Sequence, residues 1–207
     1  MPRLFLLPGM GGNTRMYGGI NSGNGVELVK INYPANTDFA TLRELAAIII
    51  DANHITADDW IGGTSMGGMV AVEIADLLHL PRTYLLGSCC TPTAINRVLR
   101  GLAPYGSKLR WDWVQDSLRH LPRGVRSLTS DMVLSYAPIF YNKACLAIAR
   151  WRGIERARLP GELFHMHGRW DVVIRPPAYP ATLINAGHLL TIERPALVER
   201  FLHFGRL

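Results

Sequence analysis

The feature that most restricts what this chain can fold into is an alternation of short apolar runs with stretches of helical spacing, repeated along most of its length. The apolar runs are residues 4–7, 26–33, 60–62, 83–87, 162–167 and 181–185. Bounded by Gly, Pro or Asn and rich in β-branched or aromatic residues, each reads as a short strand. Helical spacing follows at 41–50, with Thr37 or Asp38 as its cap, at 66–80, and at 196–204 behind Pro195. Strands that alternate with helices need crossover connections, which yield a mainly parallel sheet with helices on both faces. Leu4-Phe5-Leu6-Leu7 is apolar at every position, as a strand buried on both sides should be. The expected class is α/β, with a mainly parallel six-stranded sheet.

Between 91 and 159 this rhythm breaks into segments rich in Arg and Trp, with helical spacing at 111–118 and 130–150 and no convincing strand. This stretch is expected to form a small helical cap insertion over one end of the sheet. A chain of 207 residues supports one well-buried core, so residues 1–207 are read as a single domain. Apolar residues make up 48% and charged residues 18%, a balance that disfavours disorder. The apolar run at 4–7 is too short for a signal peptide or a membrane span, and 45–50 reads as core. The expectation is a soluble cytoplasmic protein with no membrane partner.

Cys89 and Cys90 are adjacent and Cys145 is remote. A bridge across one peptide is strained, and no C-x-x-C spacing or histidine set accompanies them, so no disulfide framework and no metal are expected. The formal charge is +6, and its distribution is uneven. Residues 91–159 carry twelve Lys or Arg against four Asp or Glu, an excess of eight, which leaves the rest of the chain slightly acidic. A solvated basic surface accounts for this, as does a surface that attracts an anionic substrate or carrier. No recognition motif or aromatic-interleaved basic patch points to nucleic acid.

The strongest local signal lies at 60–70, where Gly63, Ser65 and Gly67 satisfy G-x-S-x-G between a strand and a helix. Glycines flanking the serine allow a turn sharp enough to expose its hydroxyl at a helix N-terminus, where free N–H groups and the dipole favour developing negative charge. A serine hydroxyl is a weak nucleophile at neutral pH and needs a base, which in turn needs an orienting partner. His188 follows Gly187 where a loop leaves the last strand-like run. The other six histidines, His54, His79, His120, His165, His167 and His203, lack such a setting. Asp171 sits in a glycine-started loop after the run at 162–167, and Asp59 lies too close to the start of its own strand to reach the same rim. Backbone donors for an oxyanion are expected from Met66, just after the serine, and from Met10 in the Gly-rich turn after the first strand. That turn does not give G-x-G-x-x-G, which removes the dinucleotide-binding alternative.

The elbow around Ser65, the Pro8-Gly9-Met10-Gly11-Gly12 turn, the Gly168-to-Asp171 loop and Gly187-His188 with its trailing Glu193-Arg194-Pro195 together resemble the α/β-hydrolase superfamily, in its small single-domain esterase and thioesterase branch. The triad order Ser, Asp, His is the order of that superfamily. The resemblance covers the chain outside 91–159 and implies an α/β-hydrolase fold lacking the first two strands, with the insertion as the cap that shapes an acyl pocket. Pro8 stands where many relatives carry histidine, which leaves the backbone donor intact. The implied function is a serine hydrolase that cleaves a carboxylic ester or thioester without a cofactor, acting on a small-molecule acyl substrate, free or on an anionic carrier such as coenzyme A. The same triad also serves peptidases, lyases and cofactor-free haloperoxidases, and the fold can persist in a non-catalytic binding protein.

Overall fold

A computed structural model describes residues 2–23, 25–34, 37–120 and 128–207. Six strands form one sheet: β1 (Arg3–Leu7), β2 (Glu27–Lys30), β3 (Trp60–Thr64), β4 (Arg82–Leu86), β5 (Glu162–Gly168) and β6 (Thr182–Ile184). All neighbours pair in parallel, in the order β2-β1-β3-β4-β5-β6. The α/β class with a six-stranded sheet is therefore as the sequence implied. The second strand is shorter than the run at 26–33, because its one partner, β1, ends at Leu7.

Alternation along β1 shows why a strand apolar at every position is needed. Leu4 and Leu6 pack on one face beneath α8 (Pro195–Phe204), with Val198, Phe201 and Leu202. Phe5 and Leu7 pack on the other, against α1 (Leu42–Asn53) and α2 (Met66–Leu78). Successive side chains of a strand point to opposite faces, so two apolar layers require this pattern.

The cap of α1 is Thr41, not Thr37 or Asp38. Its hydroxyl accepts from the Glu44 amide at 3.1 Å, and the Glu44 carboxylate reaches back to the Ala40 amide at 2.7 Å. This reciprocal pairing satisfies two amides that the helix leaves without acceptors. Thr37 instead donates to the Pro34 carbonyl, and Asp38 pairs with Lys143 at 2.7 Å.

Between β4 and β5 lie α3 (Arg97–Gly106), α4 (Trp111–Arg119), α5 (Leu128–Val133) and α6 (Pro138–Arg150). The helical spacing at 130–150 is thus two helices. Pro138, which lacks an amide hydrogen, starts the second and cannot sit within a continuous helix at no cost. Helix α3, which carries Pro104 and buries none of its residues, lies outside the helical spacing at 111–118 and 130–150. Helix α6 anchors this region: Phe140, Ala144 and Ala147 join the layer of α1 and α2. Beyond its end, the Trp151 indole donates to the buried Glu73 carboxylate at 2.8 Å. Among the described residues no helix is long and apolar enough to cross a membrane.

Helix α2 approaches the sheet at glycines. A Cβ on Gly67 would overlap the carbonyls of Leu7 and Pro8, and one on Gly63 would overlap the Gly67 backbone. Rigid backbone on both sides leaves no route for relaxation. Gly67→Ala should therefore lower unfolding stability by at least about 2 kcal/mol, read as a fall in the urea midpoint; an unchanged midpoint would show that the two elements can separate freely.

Candidate active site

Ser65 occupies the single residue between β3 and α2, with φ 53° and ψ −122°. A positive φ costs a residue with a Cβ roughly 1–3 kcal/mol and persists where the surroundings enforce it. Here the enforcement is visible: the Ser65 amide donates to the Leu86 carbonyl at 3.3 Å, and the Ser88 hydroxyl donates to the Ser65 carbonyl at 2.6 Å. The turn after β1 lies directly alongside, since a Cβ on Gly9 would sit 3.2 Å from the Ser65 Cβ. Two buried tyrosines hold that turn from below. Tyr17 donates to the Leu7 carbonyl at 2.6 Å and Tyr33 to the Pro8 carbonyl at 2.7 Å. Burial raises both phenols well above their ordinary pKa, so each stays a donor.

The structure brings Ser65, His188 and Asp171 together. His188 Nε2 lies 2.9 Å from Ser65 Oγ, and His188 Nδ1 lies 2.8 Å from Asp171 Oδ2. The imidazole thus bridges a hydroxyl and a carboxylate, and the carboxylate fixes the tautomer that leaves Nε2 facing the serine. Asp171 Oδ1 accepts from the amides of Val173 and Ile174 at 2.8 and 2.9 Å. Burial alone would raise the Asp171 pKa, yet hydrogen bonds from His167, His188 and the Ile174 amide outweigh it and hold it below the ordinary carboxylate value. Asp59 lies elsewhere, paired with Arg3 at 2.6 Å.

The loops that carry Asp171 and His188 meet backbone to backbone. Trp170 N donates to Ala186 O at 3.1 Å and Arg169 N to Ile184 O at 2.9 Å. Gly168 makes this possible, because a Cβ there would overlap the carbonyls of Ala186 and Gly187. The Gly187 amide is held in turn by Glu193, in the short helix α7 (Leu190–Glu193), at 2.8 Å.

Met66 is the first residue of α2, so its amide has no acceptor within the helix. Met10 is 37% exposed, and both methionines line the cavity into which Ser65 opens. That cavity, about 440 Å³, is walled by apolar side chains from the elbow and from α3 and α6, among them Met69, Leu102 and Ile148. A smaller cavity of about 230 Å³ lies between the glycine turn and His188, with Ser65 again in its wall. Ser65 thus stands where an apolar chamber meets a second opening.

A further buried histidine, without a loop setting in the sequence, lies beside Asp171. His167 Nε2 lies 3.3 Å from Asp171 Oδ2, and the ring is fully buried. The available signal was His-x-His in an otherwise apolar strand: two rings on one face of a buried strand must find internal polar partners. Among the described residues no group of three or more His, Cys, Asp or Glu could hold a metal ion.

The sequence matches no protein-family model and no curated protein. Solved structures are similar in fold. An esterase from Thermogutta terrifontis superposes with a TM-score of 0.73 at 19% identity, covering 98% of this chain and 88% of the other. A hydrolase from Oleispira antarctica gives 0.73 at 14% identity, with 99% and 91% covered. The type II thioesterase BorB of the borrelidin biosynthetic cluster gives 0.71 at 18% identity, with 99% and 92% covered.

The lowered Asp171 pKa links the site to stability. A carboxylate that titrates lower in the folded than in the unfolded chain stabilises the fold above its unfolded value, about 3.9, and loses that contribution as pH falls through the folded value. Asp171→Asn should therefore flatten the decline of urea stability below about pH 4. Parallel pH dependences in the two proteins would contradict the linkage.

Proposed function

We propose that this chain, which has the α/β-hydrolase fold, is a serine hydrolase that cleaves a carboxylic ester or thioester through an acyl-enzyme on Ser65. The reading is carried by the continuous relay from Ser65 Oγ through His188 to Asp171, with contacts of 2.9 and 2.8 Å. In it, His188 Nε2 takes the Ser65 proton as Oγ attacks the carbonyl carbon, while Asp171 stabilises the imidazolium that forms. The amides of Met10 and Met66 donate to the oxyanion, and the N-terminal end of α2 adds its dipole. Collapse of the tetrahedral intermediate expels the alcohol or thiol with the proton held on His188. Water, deprotonated by the same imidazole, then attacks the ester on Ser65 and releases the acid.

The apolar chamber beside Ser65 suits the acyl group, and its volume is in the range of small-molecule sites. The opening between the glycine turn and His188 suits the leaving group. Arg100, which lies in the chamber wall, and the exposed Arg97 on the same helix α3 favour an acyl group on an anionic carrier over a neutral ester. In this reading the chain acts as a soluble enzyme of the cytoplasm and needs no cofactor.

A fluorophosphonate probe should label the wild-type protein and not Ser65→Ala. Ser65→Ala and His188→Ala should each lower kcat by about a millionfold without unfolding the chain, and Asp171→Asn by about ten-thousandfold. A labelled Ser65→Ala protein would move the nucleophile elsewhere. For a series of linear acyl substrates, each methylene buried in the chamber contributes about 0.8 kcal/mol, so kcat/KM should rise about fourfold per carbon until the chamber is full. If the anionic carrier is right, the preference for anionic over neutral substrates should shrink as salt rises; a salt-independent preference would remove the carrier from the proposal.

A further inference from the structure

Asp171 has a second imidazole neighbour, and the bonds behind it form a chain that runs away from the serine. His167 Nε2 lies 2.9 Å from the Ile174 carbonyl and 3.3 Å from Asp171 Oδ2. On its other side, His167 Nδ1 lies 3.0 Å from His165 Nε2. His165 Nδ1 lies 2.8 Å from the Tyr179 hydroxyl, which in turn lies 3.5 Å from Cys90 Sγ. Both rings stand on one face of β5 and are buried, at 0% and 4% exposure.

Elementary accounting of protons orients this chain. A carbonyl oxygen and a carboxylate only accept, so His167 Nε2 must carry hydrogen. One hydrogen must also lie between His167 Nδ1 and His165 Nε2. Either His167 is a cation, or it is neutral and receives the proton of His165 Nε2. Burial drives His165 down to about 3, so that ring is neutral near pH 7. A neutral His165 with hydrogen on Nε2 presents a bare Nδ1, which the Tyr179 hydroxyl fills as donor. Burial raises the Tyr179 phenol and the Cys90 thiol, so both retain their protons. Every bond then points one way: from Cys90 to Tyr179, to His165, to His167, and on to the loop that carries the acid.

We propose that His167, locked as its Nε2–H tautomer by His165 and Tyr179, is a positioning residue for the acid of the triad. It reaches the Ile174 carbonyl, whose amide in turn binds Asp171 Oδ1, and so it grips the 171–174 turn through both carboxylate and backbone. Its N–H edge also lies 3.3 Å from the oxygen that supports His188, close enough for the N–H dipole to stabilise that carboxylate. A carboxylate stabilised by two N–H groups supports each less strongly, so His167 lowers the pull of Asp171 on the His188 imidazolium. The charged and titratable groups around it are Asp171 from the loop after β5, His188 from the loop after β6, His165 on β5 itself, Cys89 and Cys90 after β4, and Tyr179 with Arg156 5.5 Å from its ring centre.

The inference rests on the triad reading, and its first test does not require activity. Nitrogen-15 spectra of the imidazoles at pH 7 should show His165 and His167 neutral, each with hydrogen on Nε2. A cationic His167, or hydrogen on Nδ1 of either ring, overturns the proposal. In kinetics, His167→Val should lower kcat about tenfold with KM unchanged. It should also move the acid limb of kcat/KM upward by on the order of half a pH unit. His167→Gln, whose amide can still donate toward the turn, should recover most of the rate. A rate loss with no movement of the limb and no recovery by Gln would mark His167 as merely structural. Tyr179→Phe, a milder change that keeps the ring, should disturb the His165 tautomer and shift the limb the same way by less; an unaltered His165 spectrum removes Tyr179 from the lock. If Ser65 resists the fluorophosphonate while both tautomers are as stated, the triad reading fails and the proton chain stands.

Discussion

The backbone of α2 runs so close to β1 and β3 that positions 63 and 67 have no room for a side chain, and this approach sets the geometry of the whole rim. The chain must reverse from strand to helix within one residue, which forces Ser65 into a backbone region that an L-residue rarely adopts. The same closeness brings the turn after β1 against the serine and the Ser88 hydroxyl against its carbonyl. Packing between α2 and the apolar strands supplies the stabilisation that offsets this strain. The cost of the turn is local, whereas its support is spread over the core.

Polar groups carried into that core are paired in a way that adds stiffness. Tyr17 and Tyr33 fix the carbonyls beneath the glycine turn, Glu73 receives the Trp151 indole, and Asp171 accepts from two amides and the His188 imidazole, with His167 3.3 Å away. An unpaired buried polar group is costly, so each of these bonds resists small displacements of the elements that it joins. The acid loop is the most heavily tied. Its position also depends on Gly168, because a side chain there would push apart the loops that follow β5 and β6.

Much of this was legible in the residues. Strands of unbroken apolar character and helices of 3.6 spacing gave the sheet and its layers, because burial on both sides leaves no other pattern. Ser65, Asp171 and His188 were each marked by glycines, which signal sharp backbone at strand ends, and the structure brings the three side chains into contact. Less legible were features settled by contacts between distant segments. Thr41 rather than Thr37 caps α1 because Thr37 and Asp38 are engaged by Pro34 and Lys143. Helix α3 buries nothing of its own, so its pattern of burial could not announce it. The surroundings of His167 were less legible because its polar partners lie across a strand and a turn.

The two ends of the helical segment between β4 and β5 are joined to each other, for the Ile154 amide donates to the Cys90 carbonyl at 2.8 Å. Because that segment departs and returns through one narrow neck, its length and sequence can change while the strands on either side keep their register. The rim that carries Ser65 and the outer helices above it are in that sense separable inheritances: a lineage could exchange α3 and α4 and leave α6, packed on α1 and α2, and the rim below untouched.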